Sequence, residues 1–244
     1  MIPPVIQYHK IDKPGAGSLV RGGFTPPRRF ARQMKYLKQR GFTFYTTAEL
    51  IEYFREHGTF PANGVAITFD DGWRDNYTNA FPVLKQLGIK ATLFVVPSCI
   101  GQASAKALAH GEGPRQHLSR EEILEMSRHG FEIGSHTMNH HLLPELSLDE
   151  IKFEVHEAKR QIEDLVQQTC KSFAYPAGFF TTDAQRIIED AGHIAAFSTV
   201  YGPTDGYDLY ALNRCEILRR DRLLFQFAAK IRRMNSGAST ESKQ

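Results

Sequence analysis

Short apolar runs, each ending on a polar residue and followed by a stretch of helical periodicity, recur along the whole chain. Residues 5–8, 42–45, 65–69, 91–96, 131–135, 172–175, 194–199 and 214–218 read as strands. Residues 26–39 read as a helix, with Phe30, Met34 and Leu37 on one face and Gly41 beyond its end. Three further helices open on a capping-box pattern, at Thr46/Glu49, Ser119/Glu122 and Ser147/Glu150. Residues 76–87, 183–191 and 221–234 complete the helices. Eight strand–helix steps predict an α/β fold, a distorted (β/α) barrel of about seven or eight parallel strands, closed or nearly so. The alternative, a doubly wound open sheet, calls for a glycine-rich nucleotide fingerprint after the first strand, and the chain has none there.

At 244 residues with 41% hydrophobic content, the chain can bury one sizeable core, so a single domain is expected over residues 1–220. Residues 221–234 are expected to be an amphipathic helix of that domain, and residues 235–244 a disordered tail. Residues 97–118, rich in small side chains, are expected to form a loop or mobile excursion over the active face. Thirty basic and 27 acidic residues give a net charge of +3, too weak to argue for a nucleic-acid partner. The basic excess lies late, at Arg214, Arg219, Arg220, Arg222, Lys230, Arg232 and Arg233. The C-terminal helix therefore reads either as packed on the barrel with its basic face solvated, or as a peripheral contact with an anionic membrane or lipid-linked glycan. Cys99, Cys170 and Cys215 are odd in number and form no C-x-x-C, so neither a disulfide framework nor a zinc knuckle follows. No basic n-region precedes an apolar run, and no run approaches a membrane span. A cytoplasmic or membrane-peripheral location is expected, or an exported one if a leader has been trimmed.

In a parallel barrel the reactive groups come from the C-terminal ends of the strands. His9, Asp70-Asp71, His136 and Pro176 all follow apolar strands at that end. Adjacent carboxylates at a strand end point to different sides, so one can bind a metal while the other accepts a proton. Asp-Asp-Gly is equally good turn sequence. His136 and His140, four apart on a helical turn, would face one ion together, with His141 pointing away. The same spacing also describes two surface histidines. Two imidazoles and one carboxylate make a three-ligand site with open positions, which is a catalytic arrangement.

Thr68-Phe69-Asp70-Asp71-Gly72, Ser135-His136-Thr137-Met138-Asn139-His140 and Phe173-Ala174-Tyr175-Pro176-Ala177-Gly178, in that order, resemble the motifs of the polysaccharide deacetylase (NodB-homology) family. The third is similar to the poly-β-1,6-N-acetylglucosamine deacetylase branch, and the resemblance extends over about residues 5–218. It implies a carbohydrate N-deacetylase acting on an N-acetylated glycan. Asp71, His136 and His140 would hold a divalent ion, most simply zinc, with cobalt, nickel or iron also suited. Asp70 would be the base, and a backbone N–H near Ala177 an oxyanion donor. Related barrels hydrolyse small cyclic amides or amidines, and a degenerate member could simply bind carbohydrate.

The chain departs from the wider family in two places. The general-acid histidine of a late motif has no counterpart, because the last histidine is His193. The named branch resembles a circular permutation that moves this group to an N-terminal Tyr-His, which makes His9 the acid here. Other branches carry an arginine and an aromatic where this chain has Ala174 and Ala177, so the base must be oriented otherwise. Tyr175 and Trp73, with Pro176 and Ala177 beside them, are the candidate substrate-binding residues, the aromatics by stacking on a pyranose face.

Overall fold

The computed structural model describes residues 5–19, 21–199 and 208–236, with the side chains of 106, 235 and 236 set aside. Eight strands, all parallel, form one curled sheet: β1 (Val5–Tyr8), β2 (Thr43–Tyr45), β3 (Gly64–Phe69), β4 (Thr92–Val95), β5 (Glu132–Ser135), β6 (Ser172–Ala174), β7 (Ala195–Phe197) and β8 (Cys215–Glu216). The order is β7-β6-β5-β4-β3-β1-β8, with β2 on β3. This is the distorted (β/α) barrel expected, with its two edges meeting through one bent segment. Leu212 pairs with Phe197 of β7, and three residues later Cys215 pairs with Ile6 of β1.

The helices are α1 (Pro27–Gln39), α2 (Thr47–His57), α3 (Phe81–Leu87), α4 (Ala105–Ala109), α5 (Arg120–Arg128), α6 (Leu148–Val166), α7 (Thr182–Asp190) and α8 (Leu224–Ser236). The three capping boxes form as the sequence indicates, at Thr46, Ser119 and Ser147. Strand alternation separates two cores. Ile6, Ile67, Leu93 and Ile133 face outward into a layer shared with α1, α3, α5 and α8. Val5, Ala66, Phe94, Ala174 and Phe197 face inward, where Leu50 and Ile51 of α2 join them. Gly134 admits Phe94 to this interior, since a Cβ there would stand 2.7 Å from the Phe94 ring.

α2 is thus a plug rather than an outer helix. Its first turn docks on the opening residues of β4, β5 and β6. The Thr47 N–H donates to Thr92 Oγ1 (2.9 Å) and the Ala48 N–H to Glu132 Oε2 (2.9 Å), while the Thr47 hydroxyl lies 2.9 Å from that of Ser172. A carboxylate and hydroxyls thereby satisfy N–H groups that a helix start leaves bare.

Two expectations change in detail. Residues 97–118 contain a 3-10 turn (Pro97–Cys99) and α4, and are pinned by bridges from Ala103 to Gln116 and from Trp73 to His117. Helix α8 runs on to Ser236, into the stretch expected as a tail, and residues 237–244 lie outside those described. It buries Phe227, Ile231 and Met234 against the outer core.

Candidate active site

Asp71 ends the β3 run with φ 70, a left-handed turn continued by Gly72 at φ 66. That turn sends Asp70 and Asp71 in different directions. His136 follows β5, and its Nδ1 lies 2.7 Å from the Ala174 carbonyl. A carbonyl only accepts, so Nδ1 carries the proton and Nε2 keeps the lone pair. Nε2 faces Asp71 Oδ1 at 3.5 Å, and His140 Nε2 faces the same oxygen at 3.2 Å. His136 and His140 are brought together by an irregular turn, not by the helical turn expected. Thr137 (φ 64) and His140 (φ 60) are left-handed, and Glu154 of α6 clamps the turn by accepting from the N–H and side-chain amide of Asn139, both at 2.8 Å.

The three ligand atoms lie within 4.8 Å of one another. Ligand bonds of about 2.0–2.2 Å at a tetrahedral zinc put neighbouring ligand atoms about 3.3 Å apart. The 3.2 and 3.5 Å separations match that edge. Lone pairs this close repel unless a proton or a cation lies between them, so the donor set fits a divalent ion. Burial would raise the Asp71 carboxyl, but the imidazoles of His136 and His140 beside it outweigh that and hold the group well below the usual carboxylate range. The Trp73 indole N–H donates to Asp71 Oδ2 at 2.8 Å.

Asp70 turns into the barrel and is 1% exposed. Arg214 grips it with two bonds, Nη1 to Oδ1 at 2.7 Å and Nη2 to Oδ2 at 2.8 Å, and the Gln7 side-chain amide donates to Oδ2 at 2.7 Å. Of about four lone-pair sites on a carboxylate, this leaves one, on Oδ1. Burial opposes ionisation, but the guanidinium of Arg214 and then His136 leave Asp70 below its ordinary pKa. Arg214 is the residue that sequence reasoning missed. It counted there as part of a late basic run, yet its side chain is fully buried. The signal was alternation: Arg214 and Glu216 share the face opposite Cys215 and Ile217.

His9 follows β1 and lines the same cavity as Asp71, His140 and Glu216, about 570 Å³ in volume. Its Nδ1 stands 3.8 Å from Glu216 Oε1, and the Asn76 side chain holds its carbonyl at 2.8 Å. One wall comes from residues 98–117. It is tied across the cavity by Glu112, which binds Lys10 (2.8 Å) and Arg115 (2.9 Å).

The stacking residues are placed differently from expectation. Trp73 lines the cavity, but it is 5% exposed, its ring stacks on His117 at 4.3 Å and Lys10 sits over it at 4.3 Å. Its work is on Asp71. Tyr175 points to the outer layer, where it stacks on Phe180 and its hydroxyl donates to the Tyr210 carbonyl. Alternation along β6 forces this, since Ala174 takes the inward position. Pro176 is buried and Ala177, at φ 54, is exposed; neither lines the cavity.

With this geometry in hand, the relatives are informative. The family model described as polysaccharide deacetylase matches residues 57–196. The Bacillus subtilis (strain 168) protein YxkH, whose name assigns it to the same family, is 30% identical over 215 residues, 88% of this chain and 71% of that one. A poly-β-1,6-N-acetyl-D-glucosamine N-deacetylase of Staphylococcus aureus (strain MRSA252) is 30% identical over 70% of this chain, and the match spans 59% of that protein. Among solved structures, IcaB from Ammonifex degensii superposes with a TM-score of 0.79 at 25% identity, covering 93% of this chain and 96% of that one. The Streptococcus pyogenes deacetylase PplD, solved with acetate, gives a TM-score of 0.80 at 24% identity, over 95% and 98%, and supports the fold. The chain belongs to the polysaccharide deacetylase family of hydrolases.

Proposed function

We propose that this chain removes N-acetyl groups from hexosamine residues of a glycan, using one divalent cation held by Asp71, His136 and His140. The observation that carries the reading is the spacing of those three ligand atoms, with Asp71 and His140 lining a cavity that His9 also lines. Zinc is the ion best suited to two imidazoles and a carboxylate, and cobalt, nickel or iron would serve the same set. Such a cation polarises a carbonyl and makes water acidic enough to react near neutral pH.

Asp70 receives the proton that the attacking water gives up. It is ionised, and its spare lone pair is fixed in direction by Arg214 and Gln7. His9 donates a proton to the departing amine, with the Glu216 carboxylate near its Nδ1. The Ala177 N–H, expected as an oxyanion donor, sits in the left-handed turn after β6 and outside the lining of this cavity, so no step is assigned to it.

The staphylococcal relative's name supports poly-β-1,6-N-acetylglucosamine as the substrate class. The cavity volume supports a sugar over a small cyclic amide, which would leave most of 570 Å³ unfilled. The test is acetate release from N-acetylglucosamine oligomers before and after chelation, with metal added back. Release that stops on chelation and returns with metal is expected. No release from metal-loaded protein sinks the reading and leaves glycan binding or cyclic-amide hydrolysis.

A further inference from the structure

A second cavity, of about 270 Å³, lies in the seam between α1 and α8, lined by Arg28, Arg29, Arg32 and Arg222 with Leu223 and Leu224. No carboxylate lines it. Among the described residues none of these four arginines forms an ion pair; Arg29 donates instead to the Arg219 carbonyl at 2.9 Å. Asp221, next in sequence to Arg222, is taken up by Lys230 (2.6 Å) and the Leu218 N–H (2.8 Å). Burial and then the neighbouring charge of Arg222 pull the Arg29 pKa down, a sign of like charges held close.

Both helices begin here. Neither has an acidic residue in its first turn, and α1 opens on Pro26 without a side-chain cap, so the positive ends of the helix dipoles add to the field. Beside the cavity, Leu223 and Phe225 are 53% and 66% exposed. Four unpaired guanidiniums favour a phosphate-type anion, and apolar side chains standing in water next to them favour an anion at an apolar boundary.

We propose that the α1–α8 seam seats the headgroup phosphate of an anionic lipid, with Leu223 and Phe225 entering the membrane interface. The surface is not the basic face of α8 that the sequence suggests, because Lys230 on that face is tied to Asp221 and to the Glu216 carbonyl. It lies where β1 and β8 hand over to their helices, the pole that carries the catalytic cavity. The Gly22 carbonyl accepts from Arg219, and Gly23 backs on the His9 ring. Lipid binding would therefore turn the cavity toward glycan at a membrane surface. That orientation rests on the deacetylase reading; the lipid site does not.

The experiment is co-sedimentation of the full chain with vesicles of phosphatidylcholine alone or mixed with phosphatidylglycerol, beside titration with inorganic phosphate. Binding to the mixed vesicles only, weakened by high salt, is expected. Losing each arginine should weaken it about 5-fold, so Arg32→Gln with Arg222→Gln should cost about 25-fold. Leu223→Ser with Phe225→Ser should weaken vesicle binding and leave phosphate binding unchanged. Circular dichroism and acetate release from soluble oligomers, both expected unchanged, separate loss of the site from loss of fold or of hydrolysis. Equal binding to both vesicle types, or binding indifferent to the arginine substitutions, overturns the proposal. Binding of phosphate without binding of vesicles overturns the lipid assignment.

Discussion

The two ends of the barrel each hold a carboxylate against the inner wall, and the donors that meet them differ in kind. At the lower end, Glu132 Oε2 is met by neutral donors: the Thr47 and Thr92 hydroxyls at 2.8 and 3.0 Å and the Ala48 N–H at 2.9 Å. At the upper end, Asp70 is met by a guanidinium and an amide. Hydroxyls and a helix start can fix a helix in place, which is the role of Glu132 toward α2. A paired guanidinium does more, holding the carboxylate ionised and aiming its one spare lone pair. The lower carboxylate serves the fold, whereas the upper one is the base of the proposed reaction.

Breaking the upper pair from the acid side should have the largest effect. Asp70→Asn should lower kcat for acetate release by about 10²–10⁴-fold, with metal content by elemental analysis unchanged because Asp71, His136 and His140 remain. Breaking it from the other side tests the positioning role. Arg214→Met leaves a buried carboxylate unpaired and should cost about 3–5 kcal/mol in urea unfolding, and a kcat that survives intact would contradict it. Glu132→Gln at the opposite end should cost about 1–3 kcal/mol and leave kcat within twofold. Equal kcat losses at the two ends would erase the distinction between them.

His193 sharpens the comparison as a buried ring with no well-formed hydrogen bond on either nitrogen. Burial outweighs the nearby Lys171 and Cys170 backbone and pulls its pKa down to about 3. Above its unfolded pKa of about 6.5 neither state is charged and its contribution is flat. Below that, the unfolded state takes up the proton first, so stability is lost as pH falls toward 3. Between pH 6.5 and 5.5 the loss should be about 1 kcal/mol, absent in His193→Leu, as read by urea unfolding at each pH.

Most strand and helix positions could be read in the sequence because period-2 and period-3.6 patterning are local, and the capping boxes at Thr46, Ser119 and Ser147 mark helix starts within four residues. The destination of a helix is not local. Thr47–His57 carries an apolar stripe that would suit the outside of the barrel, and only its meeting with Thr92, Glu132 and Ser172 sends it inside. The cluster of Asp71, His136 and His140 could be read because its members lie in two short motifs. Arg214 could not, since 144 residues separate it from Asp70 and the two meet only once the sheet has curled. Tyr175 misled because an aromatic near a motif says nothing of which way its ring faces.

Arg214 also donates from Nε to the Ser198 carbonyl at 3.0 Å, just past β7, while its other nitrogens hold Asp70 past β3. It therefore acts as a spoke across the lumen at the one place where the ring of strands is joined by a bent segment. One charged side chain thus fastens the strand-end region past β3 to that past β7. In the proposed reaction, a proton taken up by Asp70 would weaken that fastening, and its release would restore it.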